Sequence, residues 1–206
     1  MATSIRTYWG RVMPKIGMEP IRRSALVEAT IHEIGQRGTL DVTVSQIARR
    51  AGMSSALAHH YFGSKEQIFV AAMRHILTLY GAEVRGALVM AKTPRDRVEA
   101  IIRASFAPAQ FRSEMVSAWL NFYVQAQKSE DARRLLHIYQ RRLRSNLHHA
   151  IRQIAPDNAS RLTRGLAAMI DGLYIRQALR VEPLDPERAI DVLLHYLDTT
   201  LKVEHA

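Results

Sequence analysis

Residues 43–62 read Thr43-Val44-Ser45-Gln46-Ile47-Ala48-Arg49-Arg50-Ala51-Gly52-Met53-Ser54-Ser55-Ala56-Leu57-Ala58-His59-His60-Tyr61-Phe62. Thr43 and Gln46 have the spacing of a capping box, in which a hydroxyl and an amide satisfy the free N–H groups of a helix start. A short helix follows to Arg50, with Val44, Ile47 and Ala48 on its apolar face. Gly52 breaks it, and Ser54 caps a second short helix that carries Leu57 and runs to Tyr61. Two short helices joined by a Gly-containing turn fit a helix-turn-helix. In that unit the first helix braces, and the second points its N-terminal side chains at base edges in a major groove. The small Ser54, Ser55 and Ala56 permit close approach to a duplex, and helix N-termini and hydroxyls are good phosphate ligands. Spacing alone also fits a generic pair of packed helices.

The flanks extend the helical reading in both directions. Upstream, Pro20 suits the first turn of a helix that carries Ala25, Leu26, Ala29 and Ile34 and stops at Gly38. Downstream, Gly63-Ser64 breaks the chain, and Ser64 to Gln67 reads as a second capping box. Ile68, Phe69, Ala72, Met73, Ile76, Leu77 and Tyr80 then define a long amphipathic helix. Pro94 opens another helix, and Pro108 interrupts the pattern after it. Residues 113–128 and 129–154 read as two more, the second rich in arginine. A turn at Pro156-Asp157-Asn158 precedes a helix marked by Leu162, Leu166, Met169, Ile170, Leu173 and Tyr174. Pro183 to Pro186 forms a break before the last, marked by Ile190, Leu193, Leu194, Leu197 and Leu201. No strand-type alternation of useful length and no internal repeat interrupts this series. The expectation is an all-α chain of about nine helices. A tail (1–18) precedes a three-helix head (19–65), which a long helix joins to a C-terminal bundle (66–206).

Composition narrows the function. The 206 residues carry a net charge of +10, which suggests a polyanionic partner. Residues 1–65 hold nine Lys/Arg against four Asp/Glu, so positive charge is about twice as dense there as in the remainder. With no cysteine, disulfides, thiolate metal sites and thiol catalysis are excluded. No apolar run approaches the roughly 20 residues that span a bilayer, and no signal peptide opens the chain. A cytoplasmic protein without a membrane partner is expected. There is no G-x-S-x-G elbow, Walker A loop, dinucleotide glycine fingerprint or H-E-x-x-H pair, so nothing positive supports an enzyme, a metal site or a cofactor. The Arg133, Arg134, Arg141, Arg142, Arg144 run reads as a solvated helix face, with a DNA-backbone or anionic-lipid role as the alternative.

Ile47-Ala48-x-x-Ala51-Gly52-Met53-Ser54, followed by Tyr61-Phe62-x-x-Lys65-x-x-Ile68, resembles the signature of the TetR family of transcriptional repressors. The resemblance implies that Thr43, Ser54, Ser55, Tyr61 and Lys65 contact phosphates of double-stranded operator DNA. It turns Ala56, Leu57 and His59 to the bases, and His60 belongs either with them or on the plain helix surface. Ala56 and His59 stand where the family often has Gly and Tyr, so the operator sequence does not carry over. Met13 to Arg23, Met53 to Phe62, Met115 to Phe122, Arg141 to Leu147 and Gly165 to Arg176 are similar to the BetI branch, choline-responsive repressors of glycine betaine synthesis. That likeness makes Met1–Val12 look like an extension. It implies a homodimer whose last two helices meet a twofold mate in a four-helix bundle, and an effector, choline, in the C-terminal domain.

The chain offers residues for such an effector. A quaternary ammonium has no N–H to donate and is held by aromatic faces, sometimes with a carboxylate. Trp119, Phe122 and Tyr123 fall within about one helical turn, and Asp171 and Tyr174 are i,i+3 neighbours on a later helix. Asp171 sits among Ile170, Gly172 and Leu173, where an unpaired carboxylate is unfavourable and a bound cation compensates it. Core packing of the aromatics, and an arginine partner or capping role for Asp171, are the alternatives. A different, hydrophobic small molecule is the alternative effector.

Overall fold

Capping chemistry sets most helix boundaries in the computed structural model, which describes residues 17–109, 112–179 and 185–204. Among these, nine helices and no strands occur: α1 (Met18–Arg37), α2 (Val44–Arg50), α3 (Ser55–Phe62), α4 (Lys65–Met90), α5 (Pro94–Ser105), α6 (Ser113–Lys128), α7 (Glu130–Ile151), α8 (Ala159–Ala178) and α9 (Pro186–Glu204). The Thr43 box forms as expected: the Thr43 N–H donates to Gln46 Oε1 at 2.8 Å, and the Gln46 N–H to Thr43 Oγ1 at 3.2 Å. Thr93 and Asp96 make a similar box at the start of α5. The expected box at Ser64 is only half formed. Ser64 Oγ accepts from the Gln67 N–H, but the Gln67 side chain reaches across to Asp131 Oδ2 at 3.2 Å instead of back to Ser64. α7 also ends short of residue 154, because the Ile154 N–H turns back onto the Ile151 carbonyl. The expected tail up to residue 16, and Pro183 within the expected break, lie outside the described residues.

α1, α2 and α3 form the head. Leu26, Ile47, Ala58 and Ile68 are wholly buried in its core. Ala58 is the buried residue of α3, and its methyl-sized side chain lets the short helix lie close against its neighbours. Gly52, at φ +68°, takes the left-handed conformation that reverses the chain between α2 and α3. Glu33 of α1 locks α2 in place: its carboxylate accepts from Arg50, and Arg37 lies 3.5 Å away.

α4 belongs to both halves of the molecule. Ile68, Phe69 and Ala72 complete the head core, whereas Ile76 and Val84 are buried among the helices of the bundle. α6 joins the halves a second time. Glu114 lies 3.1 Å from His32 Nδ1 and accepts from Gln36 Nε2 at 3.4 Å, and Asn121 Nδ2 donates to the Gly38 carbonyl at 3.2 Å. Gly35 permits this approach, since a Cβ there would lie 2.5 Å from that of Glu114. In the bundle, Gly165 of α8 makes room for the Tyr196 ring of α9, and Leu162, Leu166, Leu193 and Leu197 are buried beside it.

The Glu33 cluster gives a test. Glu33→Gln should lower stability to urea by about 1 kcal/mol at neutral pH. The Arg50 hydrogen bond, and then the Arg50 and Arg37 charges, hold the carboxyl below the ordinary carboxylate range. This stabilisation is therefore present above the unfolded carboxyl's pKa and lost as pH falls through the lowered one. Urea titrations in a pH series should show the gap between wild type and variant closing in acid; a pH-independent gap would remove the ion pairs as its cause.

Candidate functional site

The head presents one polar, exposed helix end. Ser54 caps α3, its Oγ accepting from the Leu57 N–H at 3.2 Å, and Ser54, Ala56, His59 and His60 are exposed. Leu57 is half-buried. Ser55 Oγ donates to Ser45 Oγ at 2.9 Å, so this hydroxyl braces α3 against α2. His59 Nδ1 lies 3.0 Å from the Gly63 carbonyl. A carbonyl only accepts, so Nδ1 carries the proton in this contact. Tyr61 Oη accepts from Arg22 at 3.3 Å, and Arg23 lies over the Tyr61 and Phe62 rings. Lys65 opens α4 with its ammonium 5.4 Å from the Phe69 ring centre. Thr43 is exposed at the start of α2, which ends in the exposed Arg49 and Arg50. Hydroxyls, histidines and cations thus share the face on which α3 begins and ends.

The second site lies inside the bundle. A cavity of about 20 Å³ is lined by Tyr80, Trp119, Tyr123, Tyr139, Asp171 and Tyr174, with Ser105 and Ile170 behind them. Five helices supply these side chains: α4, α5, α6, α7 and α8. The Trp119 ring centre is 4.9 Å from Tyr139, 6.0 Å from Tyr123 and 6.3 Å from Tyr174. Tyr80 meets Tyr139 edge-on at 5.6 Å, and its hydroxyl lies 3.0 Å from Ser105 Oγ. Trp119, Tyr123, Asp171 and Tyr174 are brought together here. Phe122 is a correction: it touches Trp119 but faces the other way, into the apolar space among α1, α4 and α6 with Ile34 and Phe69. Tyr80 and Tyr139 were not anticipated, because each is an isolated tyrosine on an amphipathic helix until the chain folds.

Asp171 is the single carboxylate lining this cavity. Tyr139 Oη donates to its Oδ1 at 2.9 Å, and the Tyr123 hydroxyl supports the same group. Neither an arginine partner nor a cap accounts for it: no cation lies within ion-pair distance among the described residues. Burial pushes its carboxyl above the usual range, against the opposing pull of the two tyrosines. The tyrosines shift too. Tyr80 is pushed up to about 12 by burial, and burial raises Tyr123, Tyr139 and Tyr174 as well. The tyrosine walls therefore stay uncharged near neutrality, and Asp171 is the one acid among these electron-rich ring faces. Such a site favours a weakly hydrated cation without N–H donors. The arginines of α7 take no part in it. All are exposed, and Arg133 donates to the Ala126 and Gln127 carbonyls at 3.2 Å, capping the end of α6.

Comparison with known proteins covers both halves. Residues 26–72 match the family described as bacterial regulatory proteins, tetR family. Residues 94–202 match the one described as BetI-type transcriptional repressor, C-terminal. The HTH-type transcriptional regulator BetI of Brucella anthropi is 52% identical over 193 residues, covering 93% of this chain and 100% of that protein. Its counterpart in Rhizobium meliloti is 53% identical over 191 residues, covering 92% and 94%. Among solved structures, a putative transcriptional regulator from Pseudomonas aeruginosa superposes with a TM-score of 0.78 at 24% identity, covering 93% of each chain. One from Saccharomonospora viridis, in complex with choline, gives 0.75 at 22%, covering 87% of this chain and 96% of that one.

The half-buried Asp171 carboxylate carries a testable sign. Because burial raises Asp171 in the folded chain, protonating it stabilises the fold. The wild type should gain stability over Asp171→Asn as pH falls through the raised pKa, and lose that advantage above it. Thermal melts across a pH series measure this. An advantage that instead grew with rising pH would mean that the charged form is the favoured one.

Proposed function

The chain belongs to the TetR family of bacterial transcription regulators and carries that family's BetI-type C-terminal domain, and from this we propose that it represses glycine betaine synthesis genes until choline binds the aromatic cage. As a transcription regulator of that family it is not an enzyme. The observation that carries the choline reading is the pairing of five aromatic rings with one half-buried carboxylate in a single cavity. Trp119, Tyr123, Tyr139, Tyr174 and Tyr80 offer ring faces to the trimethylammonium group. Asp171 supplies the opposite charge, and a bound cation relieves the carboxylate's unfavourable burial. The choline complex of the Saccharomonospora viridis regulator, which has the same fold, is consistent with this reading.

Operator binding follows from the head. Thr43, Ser54, Tyr61 and Lys65 contact phosphates, and Ala56, Leu57 and His59 turn to base edges, with His60 beside them. Ser55 acts through its brace to Ser45. A homodimer formed through α8 and α9 sets two copies of α3 about 34–36 Å apart, in successive major grooves.

The cage connects to the head through the two helices that serve both. Its volume is about one water's worth, far too small for choline, so binding forces the walls apart. Tyr80 lies on α4, whose first turn carries Lys65, and Trp119 and Tyr123 lie on α6 beside the Glu114 contact with α1. Choline shifts the dimer away from the DNA-matched spacing to the extent that it binds the opened conformer more tightly. Fluorescence anisotropy on DNA from the gene's own upstream region, with and without choline, tests both parts. Lys65→Ala should weaken binding roughly fivefold and flatten the salt slope by about one charge per subunit. Trp119→Ala should keep operator affinity and lose the choline response. A choline response intact in Trp119→Ala would overturn the cage, and specific binding indifferent to choline in the wild type would point to the hydrophobic-effector alternative.

A further inference from the structure

Beside the cage, on its outer side, runs a groove of about 290 Å³ between α4 and α7. Tyr80 and Tyr139 wall both spaces, so these two side chains are shared between the groove and the cage. Val84 and Leu143 continue the apolar wall. Gly81 also lines it, inside α4 where glycine weakens a helix. A Cβ at that position would approach Arg85 Nη1 to 3.3 Å.

The charged groups lining the groove are of one sign, with Asn146 as a neutral polar neighbour. Arg85 from α4 and Arg142 from α7 both line it and are exposed. Neither has an ion pair or hydrogen bond among the described residues. Two unpaired guanidiniums beside an apolar wall repel an approaching quaternary ammonium, so the groove does not suit the cation of the cage. They fit the opposite chemistry: an apolar body lying on the tyrosine, valine and leucine side chains, with a carboxylate or similar head held by charge-assisted hydrogen bonds.

We propose that the α4–α7 groove is a second ligand site, for a small amphipathic anion, that shares Tyr80 and Tyr139 with the aromatic cage and opposes its occupation. The opposition follows from the shared walls. A cation several times larger than the cage displaces its rings, and those of Tyr80 and Tyr139 move outward into the groove. A ligand already there blocks this movement, and by reciprocity the cation weakens the anion's binding. The opposition rests on the cage reading above; the anion site does not.

Octanoate is the probe, titrated calorimetrically into the full chain, with octanol as a neutral probe of the same body. Octanoate should saturate at one per chain and bind about tenfold or more tightly than octanol, the size of a charge-assisted hydrogen bond. Arg85→Glu with Arg142→Glu should lose at least tenfold in octanoate affinity, and Gly81→Leu, which fills the groove, should abolish binding. Both variants should keep helical circular dichroism and operator affinity. The arginine pair keeps the test valid even where the helix rejects leucine. Octanoate should also raise the apparent Kd for choline in the wild type but not in the arginine variant. Equal binding of octanoate and octanol, or octanoate binding unchanged in the arginine variant, would overturn the site. Independent, additive binding of octanoate and choline would overturn the opposition. Arginine-dependent octanoate binding with no choline binding at all would keep the groove and remove the cage reading instead.

Discussion

The continuity of α4 is the constraint on which the other features depend. Its first turns fill the core of the head with Ile68 and Phe69, and its later turns give Tyr80 to the cage and Gly81 to the neighbouring groove. From Lys65 to Tyr80 the helix spans roughly 22 Å without a break in its hydrogen-bond ladder. A helix so embedded does not bend locally to absorb a displacement; its side chains interlock with both halves at crystal-like density. The contact of α6 with α1 at Gly35 and Glu114 makes the arrangement two-legged. On the proposed reading, movement of the cage walls reaches both the start of α4 and α1, the helix that holds α2 through Glu33.

On the proposed reading, two recognition forces act on one ligand within the cage. Ring quadrupoles attract a cation of low hydration, while the Asp171 carboxylate, when ionised, supplies the opposite charge at one side. Each alone has a weakness. Rings without a carboxylate also accept neutral apolar molecules, and a carboxylate without rings prefers ammonium groups that donate hydrogen bonds. The tyrosine hydroxyls of Tyr139 and Tyr123 already use part of Asp171's accepting capacity, which disfavours a ligand bearing many N–H donors. The burial that raises the carboxyl also makes the charged form receptive to a partner.

Much of this was legible in the sequence because it depends on local rules. Capping residues, prolines and glycines punctuate the helices, and the helix-turn-helix lies within twenty consecutive residues. Trp119 with Tyr123, and Asp171 with Tyr174, were visible as neighbours on single helices. Helical rotation explains Phe122. At about 100° per residue, Tyr123 lies about 40° to one side of Trp119 and Phe122 about 60° to the other, so the two diverge onto different neighbours. Tyr80 and Tyr139 were beyond reach, since only the packing of α4, α6, α7 and α8 brings them to the same point. The half-formed cap at Ser64 has a similar cause: Gln67 finds a long-range partner in Asp131, which no local spacing reveals.

The tightness of the cage sets the scale on which the protein listens. On the proposed reading, part of the ligand's contact energy is spent in parting Trp119 and the tyrosines, so the apparent affinity is weaker than the contacts alone would give, in proportion to how seldom the walls stand open. Such a sensor is deaf to traces. It answers to an abundant pool, and its threshold can be retuned by trimming a wall residue without touching the charge that identifies the ligand.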